Sequence, residues 1–220
     1  MDLWAVVPVK ETAAAKERLA PLLQPAMRRA VALAMLEDVL AAVAATRGIA
    51  GLLVVTVDPE VGRLAMSYDA RLIETGARYG HTGAVAAAAQ LLAREGHAGM
   101  LTLPGDIPLV TPAEIAAVLA AHPPAPSFTI VPSHDERGSN AVACSPPNAV
   151  PLSFGENSFY PHLRAAEASG LRPKVLRLPG IALDLDNPED VLSFMQVDSS
   201  TRARAVLAED RMLLAGDFRR

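Results

Sequence analysis

Short apolar runs alternate along this chain with longer stretches of helical spacing. Leu3-Trp4-Ala5-Val6-Val7 reads as a buried strand. From Pro25 to Thr46, Met27, Val31, Met35, Val39 and Val43 recur at a four-residue step beside Leu36 and Leu40, which predicts a long helix. Gly48 and Gly51 punctuate its end. Leu52 to Val57 reads as a second strand, ended by Asp58-Pro59, and Arg71-Leu72-Ile73 as a third. An alanine-rich helix is expected from Gly83 to Glu95, and a fourth strand from Gly99 to Leu103, stopped by Pro104-Gly105. Thr111 is the expected N-cap of a helix that Pro112 opens and that runs to Ala121. Strands follow at Phe128–Val131, Asn140–Cys144 and Lys174–Leu178, with helices at Ser158–Ser169 and Pro188–Met195.

Repeated strand–helix–strand units predict an α/β protein. We read a single three-layer domain whose mostly parallel, mixed central sheet is covered on both faces. There is no internal repeat and no dividing linker. Residues 1–197 form the expected domain and 198–220 a C-terminal helical tail. The tail's mixed faces leave a docked helix, an arm of a homodimer and a frayed end open.

Apolar residues make up 51% and charged residues 20%, which excludes global disorder. Aromatics are only 4%, so the core is expected to be small and branched aliphatics. The net charge of -4 offers no basic excess for a nucleic-acid backbone or an anionic membrane. A local basic site for one small phosphorylated ligand stays open. Cys144 stands alone, so no intrachain disulfide or cysteine metal cluster can form; it is expected in the core. No run approaches the ~18 apolar residues of a spanning helix, and the N-terminus lacks a signal-peptide pattern. A cytoplasmic location is the expectation.

Ligands of open parallel sheets sit beyond the carboxyl ends of the strands. Lys10, Lys16 and Arg18 all follow the first strand closely, a set of cations suited to a triphosphate, although a solvated loop would look the same. Neither a G-x-G-x-x-G nor a Walker A pattern is present. The fourth strand leads into Leu103-Pro104-Gly105-Asp106-Ile107-Pro108, where Asp106 alone would read as a turn residue. In Leu183-Asp184-Leu185-Asp186-Asn187-Pro188-Glu189-Asp190, Asp184 and Asp186 share a face if extended. Asn187 before Pro188 is a helix entry, and Glu189 and Asp190 are expected only to cap it. A hard divalent cation such as magnesium takes one or two carboxylates plus substrate phosphates, a set that Asp106 and Asp186 would supply. Gly138-Ser139-Asn140 and Gly155-Glu156-Asn157-Ser158 are loops with Gly near hydroxyls, and Ser158 opens a helix whose N–H groups face an anion. Small residues in Gly80-His81-Thr82-Gly83 would let a flat base approach the backbone. His134 and His162 lack zinc-site spacing and are expected in surface or loop roles.

Taken together, Pro-Val-Lys with Lys-x-Arg-Leu, Leu-Pro-Gly-Asp-Ile-Pro and Leu-Asp-Leu-Asp-Asn-Pro-Glu-Asp resemble the nucleotidyltransferases of the glycosyltransferase-A-like, Rossmann-like fold. The Gly-Ser-Asn and Phe-Gly-x-x-Ser segments are similar to the guanylyltransferase family of deazaflavin coenzyme (factor 420) biosynthesis. The resemblance covers about Leu3 to Gln196. It implies transfer of GMP from GTP to 2-phospho-L-lactate, phosphoenolpyruvate or 3-phospho-D-glycerate. It implies magnesium on Asp106 and Asp186 with Asp184 close by. It places Ser139, Gly155 and Ser158 on the acid, and Lys10, Lys16 and Arg18 on the GTP phosphates; Thr82 and Gly83 of the small-residue segment are also expected on the nucleotide, and Lys16 is expected to be catalytic. Several members carry threonine in place of Ser139. The Gly-rich opening loop of sugar nucleotidyltransferases is missing, which argues against sugar phosphates and against a molybdopterin guanylyl- or cytidylyltransferase. A non-catalytic module would have lost an acid, yet Asp106, Asp184 and Asp186 are all present. The acid's phosphate, with a second pKa of about 6, is already ionised at neutral pH and needs no histidine base or covalent intermediate.

Overall fold

The computed structural model describes residues 2–12, 16–155 and 157–209. In chain order the elements are β1 (Leu3–Pro8), α1 (Pro25–Ala44), β2 (Ile49–Val55), α2 (Pro59–Met66), β3 (Arg71–Ile73), α3 (Gly80–Arg94) and β4 (Gly99–Thr102). There follow α4 (Pro112–Ala121), β5 (Ser127–Pro132), β6 (Ser139–Ser145), α5 (Phe159–Ala168), β7 (Lys174–Val175), α6 (Pro179–Ala182), α7 (Pro188–Gln196) and α8 (Arg202–Ala208). The seven strands form one sheet in the order β3-β2-β1-β4-β6-β5-β7. Only β6 runs against its neighbours β4 and β5; the other pairings are parallel.

The continuous apolar runs follow from burial of both sheet faces. In β1, Leu3, Ala5 and Val7 face Leu36, Val39, Leu40 and Val43 of α1 together with Val61 of α2 and Ile115 of α4. Val6 faces the other way, toward Ala84, Val85, Ala88 and Leu92 of α3 and Phe159 of α5. Small alanines let α3 approach the strands closely, which explains the apolar, aromatic-poor composition. Cys144 is part of this second layer, and burial pushes its thiol up to about 12. A third cluster joins Leu19, Leu23, Val31 and Met35 to Val191 and Phe194 of α7 and Ala203 and Leu207 of α8. Helix α8 docks on α1 because Asp38 accepts the backbone N–H groups of Arg202 (2.9 Å) and Ala203 (3.0 Å). Residues 210–220 lie outside the described residues. Among those described, no helix is long and apolar enough to cross a membrane.

Two helices were not legible in the apolar spacing. The strand expected from Leu52 to Val57 runs instead from Ile49 to Val55, and Asp58-Pro59 starts α2, where Asp58 caps Glu60 and Val61 from position N-cap and Pro59 sits at N1. The strand expected at Lys174–Leu178 stops at Val175, and Pro179 opens the short α6 four residues later. At α4 the expected cap is present as a full capping box between Thr111 and Glu114, and Asn187 and Asp190 form another at α7.

His122 is buried below the ends of β5 and β6. Its Nε2 lies 3.0 Å from both Ser127 Oγ and Ser145 Oγ and its Nδ1 2.8 Å from Thr129 Oγ1, while the Ser127 hydroxyl donates to the Pro123 carbonyl (2.8 Å). Burial lowers its pKa from 6.5 to about 4. Between those values the unfolded chain takes up a proton that the folded chain refuses. This stability is therefore complete above pH 6.5 and lost as pH falls toward about 4, amounting to at most about 3 kcal/mol. Thermal unfolding across that window is expected to show a shallower pH dependence in His122→Gln than in the wild type; an unchanged slope would show that His122 titrates normally.

Candidate active site

Strands β1, β2 and β4 end on one edge of the sheet, and antiparallel β6 begins there. The loop after β1 is tied down at Thr12, whose N–H (2.8 Å) and hydroxyl (2.6 Å) both donate to Asp58 Oδ2. The other oxygen of Asp58 caps α2. Burial pushes Asp58 upward, but the donors of Thr12, Glu60 and Val61 outweigh it and hold the carboxyl at about 2. Sequence reasoning took Asp58 only as a strand terminator; its cap position before Pro59 was the signal for more.

Beyond that anchor the chain turns through Lys16, which has φ 54° in the left-handed region. Its Nζ lies 2.6 Å from Asp106 Oδ2 and 2.7 Å from Asp186 Oδ1. Burial alone would lower the Lys16 pKa, yet the two carboxylates reverse this and hold the ammonium charged. Burial likewise works to raise Asp186, but Lys16, with Arg18 and Lys10 at longer range, brings its pKa below the usual value. Asp184 goes the other way: burial raises it, Asn140 opposes this, and the charges of Asp106 and Asp186 add to the rise.

Backbone contacts fix these acids in place. Leu185 N–H donates to the Asp106 carbonyl (3.1 Å), joining the two aspartate segments. The Asn140 amide, at the start of β6, donates to the carbonyls of Ile181 (3.0 Å) and Ala182 (3.1 Å) and to Asp184 Oδ1 (3.0 Å). Asn140 thereby positions the segment that carries Asp184 and Asp186, a role its place in Gly-Ser-Asn did not disclose. The donor set fits a hard cation, because Asp106 and Asp186 converge on one positive centre. Among the described residues no group of three or more His, Cys, Asp or Glu could hold a metal ion. A magnesium ion on Asp106 and Asp186 would therefore need further oxygens, as substrate phosphates provide.

The residues expected on the acid connect to this centre through Asn140, which bonds Asp184 and directly follows Ser139. Ser139 opens β6 and Ser158 precedes α5; both are buried, with their hydroxyls 3.3 Å apart. Gly155 is exposed, and a Cβ there would meet nothing within 4 Å, so no packing demand explains this glycine. Glu156 lies outside the described residues. Thr82 accepts the Phe154 N–H (2.9 Å) and donates to its carbonyl (3.4 Å), tying α3 to the 153–158 loop. Gly83 is small for an internal reason: a Cβ would lie 2.4 Å from Tyr79 Cβ and 3.2 Å from the Gly76 carbonyl. Lys10 and Arg18 are exposed at the site's rim.

His134 is in an exposed loop as expected, but His162 is not: it is 1% exposed, and the surface reading is wrong. Ser158 and His162 stand four apart at the head of α5, so they share a face, and that face is turned inward. The spacing was the overlooked signal. His81 and His162 both contact the Phe154 ring, with centroids at 4.3 and 4.9 Å. Burial brings both to about 4, with His81 opposed by Asp106 and assisted by Lys10, and His162 assisted by His81.

Comparisons with known proteins identify the family and the fold. Residues 3–214 match the family described as "Guanylyl transferase CofC like". The phosphoenolpyruvate guanylyltransferase of Rubrobacter xylanophilus is 40% identical over 87% of this chain and 92% of its own length. The 2-phospho-L-lactate guanylyltransferase of Methanothermobacter thermautotrophicus is 31% identical over 96% of this chain and 92% of its own. Among solved structures, a putative nucleotide-diphospho-sugar transferase from Desulfovibrio desulfuricans superposes with a TM-score of 0.73 at 18% identity, covering 98% of both chains. That likeness shows the nucleotidyltransferase fold, as expected from the aspartate motifs. With the family model spanning nearly the whole chain, this protein belongs to the CofC-like guanylyl transferases.

Proposed function

We propose that this chain joins GMP from GTP to a phosphorylated three-carbon acid and releases pyrophosphate. The observation that carries the reading is the Lys16–Asp106–Asp186 centre at one edge of the sheet, with the Ser139–Ser158 hydroxyl pair beside it. Two anions must meet for the acid's phosphate to attack the α-phosphorus. The chain's part is to hold them in line and offset their charge. Ser139, Ser158 and the backbone at Gly155 would bind the acid, while Lys10, Lys16 and Arg18 would hold the triphosphate and the departing pyrophosphate. Magnesium bound on Asp106 and Asp186 would supply charge neutralisation and a template for the phosphate oxygens.

With pKa values of about 4, both histidines near the site are weaker bases than the acid's own phosphate, which supports attack without a protein base. The rate is expected to rise with pH through one ionisation near the acid phosphate's pKa of about 6, and then to level off. The sign follows from the dianion being the nucleophile. His81→Ala and His134→Ala are expected to keep that limb; its loss in either variant, with a drop of about a hundredfold, would identify a base.

Phosphoenolpyruvate is the acid to test first, because the Rubrobacter relative is named for it. The test incubates the protein with magnesium, GTP or CTP, and each of the three acids, with pyrophosphate release as the readout. Release that requires GTP and one acid supports the reading. Release with CTP alone would favour a cytidylyltransferase instead.

A further inference from the structure

His162 makes two hydrogen bonds that fix where its proton lies. The Ser153 backbone N–H donates to Nε2 (3.0 Å), so that nitrogen carries the lone pair. The single proton of the neutral ring is then on Nδ1, which lies 2.9 Å from Ser139 Oγ and donates to it. Ser139 Oγ also accepts from Ser158 Oγ at 3.3 Å. A hydroxyl oxygen has two lone pairs, and both are now engaged. Its own proton has no acceptor among the described residues.

From this geometry we propose that His162 is a positioning residue, which holds Ser139 as an obligate hydrogen-bond donor toward the anionic group of the acid. The inference rests on the guanylyltransferase reading and adds how the ionised acid is told from a protonated or amide analogue. A freely rotating serine can donate or accept, and so would tolerate a group that must donate, such as an amide N–H or a protonated acid. A serine whose lone pairs are both engaged offers only a proton, which suits a phosphate or carboxylate oxygen. It also enters the reaction already oriented, so binding does not reorder it. Burial, with His81 adding to it, lowers the ring's pKa to about 4 against the opposing contact with Ser153 and keeps it neutral at pH 7.

The first test reads the proton directly. The ring-nitrogen NMR shifts of His162 in the intact wild-type chain at pH 7 are expected to show Nδ1 protonated and Nε2 bare. A proton on Nε2 overturns the proposal, whatever the activity. The second test uses kinetics. His162→Leu is expected to raise the KM for the acid about tenfold or more, the scale of one hydrogen bond to a charged group, and to leave the KM for GTP within about twofold. His162→Asn, whose amide N–H can replace Nδ1–H, should recover most of the loss. In a Ser139→Ala background, His162→Leu should add nothing further to the acid's KM. Equal rises for acid and GTP, or additive effects of the two substitutions, would show that His162 only supports the fold. If wild type itself joins GMP to none of the acids, the guanylyltransferase reading fails, while the tautomer measurement still judges the Ser139 geometry.

Discussion

Asp106→Asn is expected to lower turnover by about a hundredfold or more at saturating GTP and acid, the scale on which loss of one charged stabiliser acts. An amide keeps the shape of the carboxylate but removes the charge that draws a cation to this point. The fold should survive. Asp106 lies beyond the end of β4, with its side chain 28% exposed, and the backbone bond from Leu185 to its carbonyl is untouched. Asp186→Asn should behave alike, because its carboxylate meets the same cation from the opposite segment. Asp184→Asn should cost the same or less, since Asn140 and not Lys16 is its hydrogen-bond partner. Steady-state rates across a magnesium titration check this. Near-normal turnover of Asp106→Asn at high magnesium would remove the carboxylate pair from the mechanism.

Lys16→Met should separate two effects that the wild type combines. In this structure the ammonium sits where a metal shared by Asp106 and Asp186 would have to come. Without it, the two carboxylates face each other unopposed. The magnesium concentration that gives half the maximal rate is then expected to fall, because no resident cation competes. The maximal rate should nevertheless drop by about a hundredfold if Lys16 has the proposed role of offsetting the charge of departing pyrophosphate. A lower rate with an unchanged magnesium requirement would mean that lysine and metal do not share the carboxylates. An unchanged rate would show that Lys16 serves only to hold the loop.

How far the sequence showed all this depended on the reach of each signal. The strands and α1 were legible because apolar period and length are local properties, and Leu52 to Val55 or Met27 to Val43 carry them in full. Helix α2 was missed because Asp58-Pro59 reads in both directions, as a strand end and as a helix cap. Asp106 could be picked out from its place after a strand, and Asp184 and Asp186 from their alternation just before the Asn187-Pro188 helix entry. Their shared contact with Lys16 could not, because it joins positions 90 and 170 residues apart. His162 shows the same limit. Nothing local says that the inward face of α5 sets its ring against Ser139, 23 residues away.

The account's central claim is that the acid's own phosphate attacks GTP and that nothing on the protein carries the GMP between them. Mass spectrometry of the products formed from an acid labelled with oxygen-18 in its phosphate tests this most directly. The account predicts one product containing GMP joined to the intact acid, with all the label in it, and unlabelled pyrophosphate. Label in the pyrophosphate, GMP attached to the protein when the acid is withheld, or no joined product with any of the three acids would contradict it.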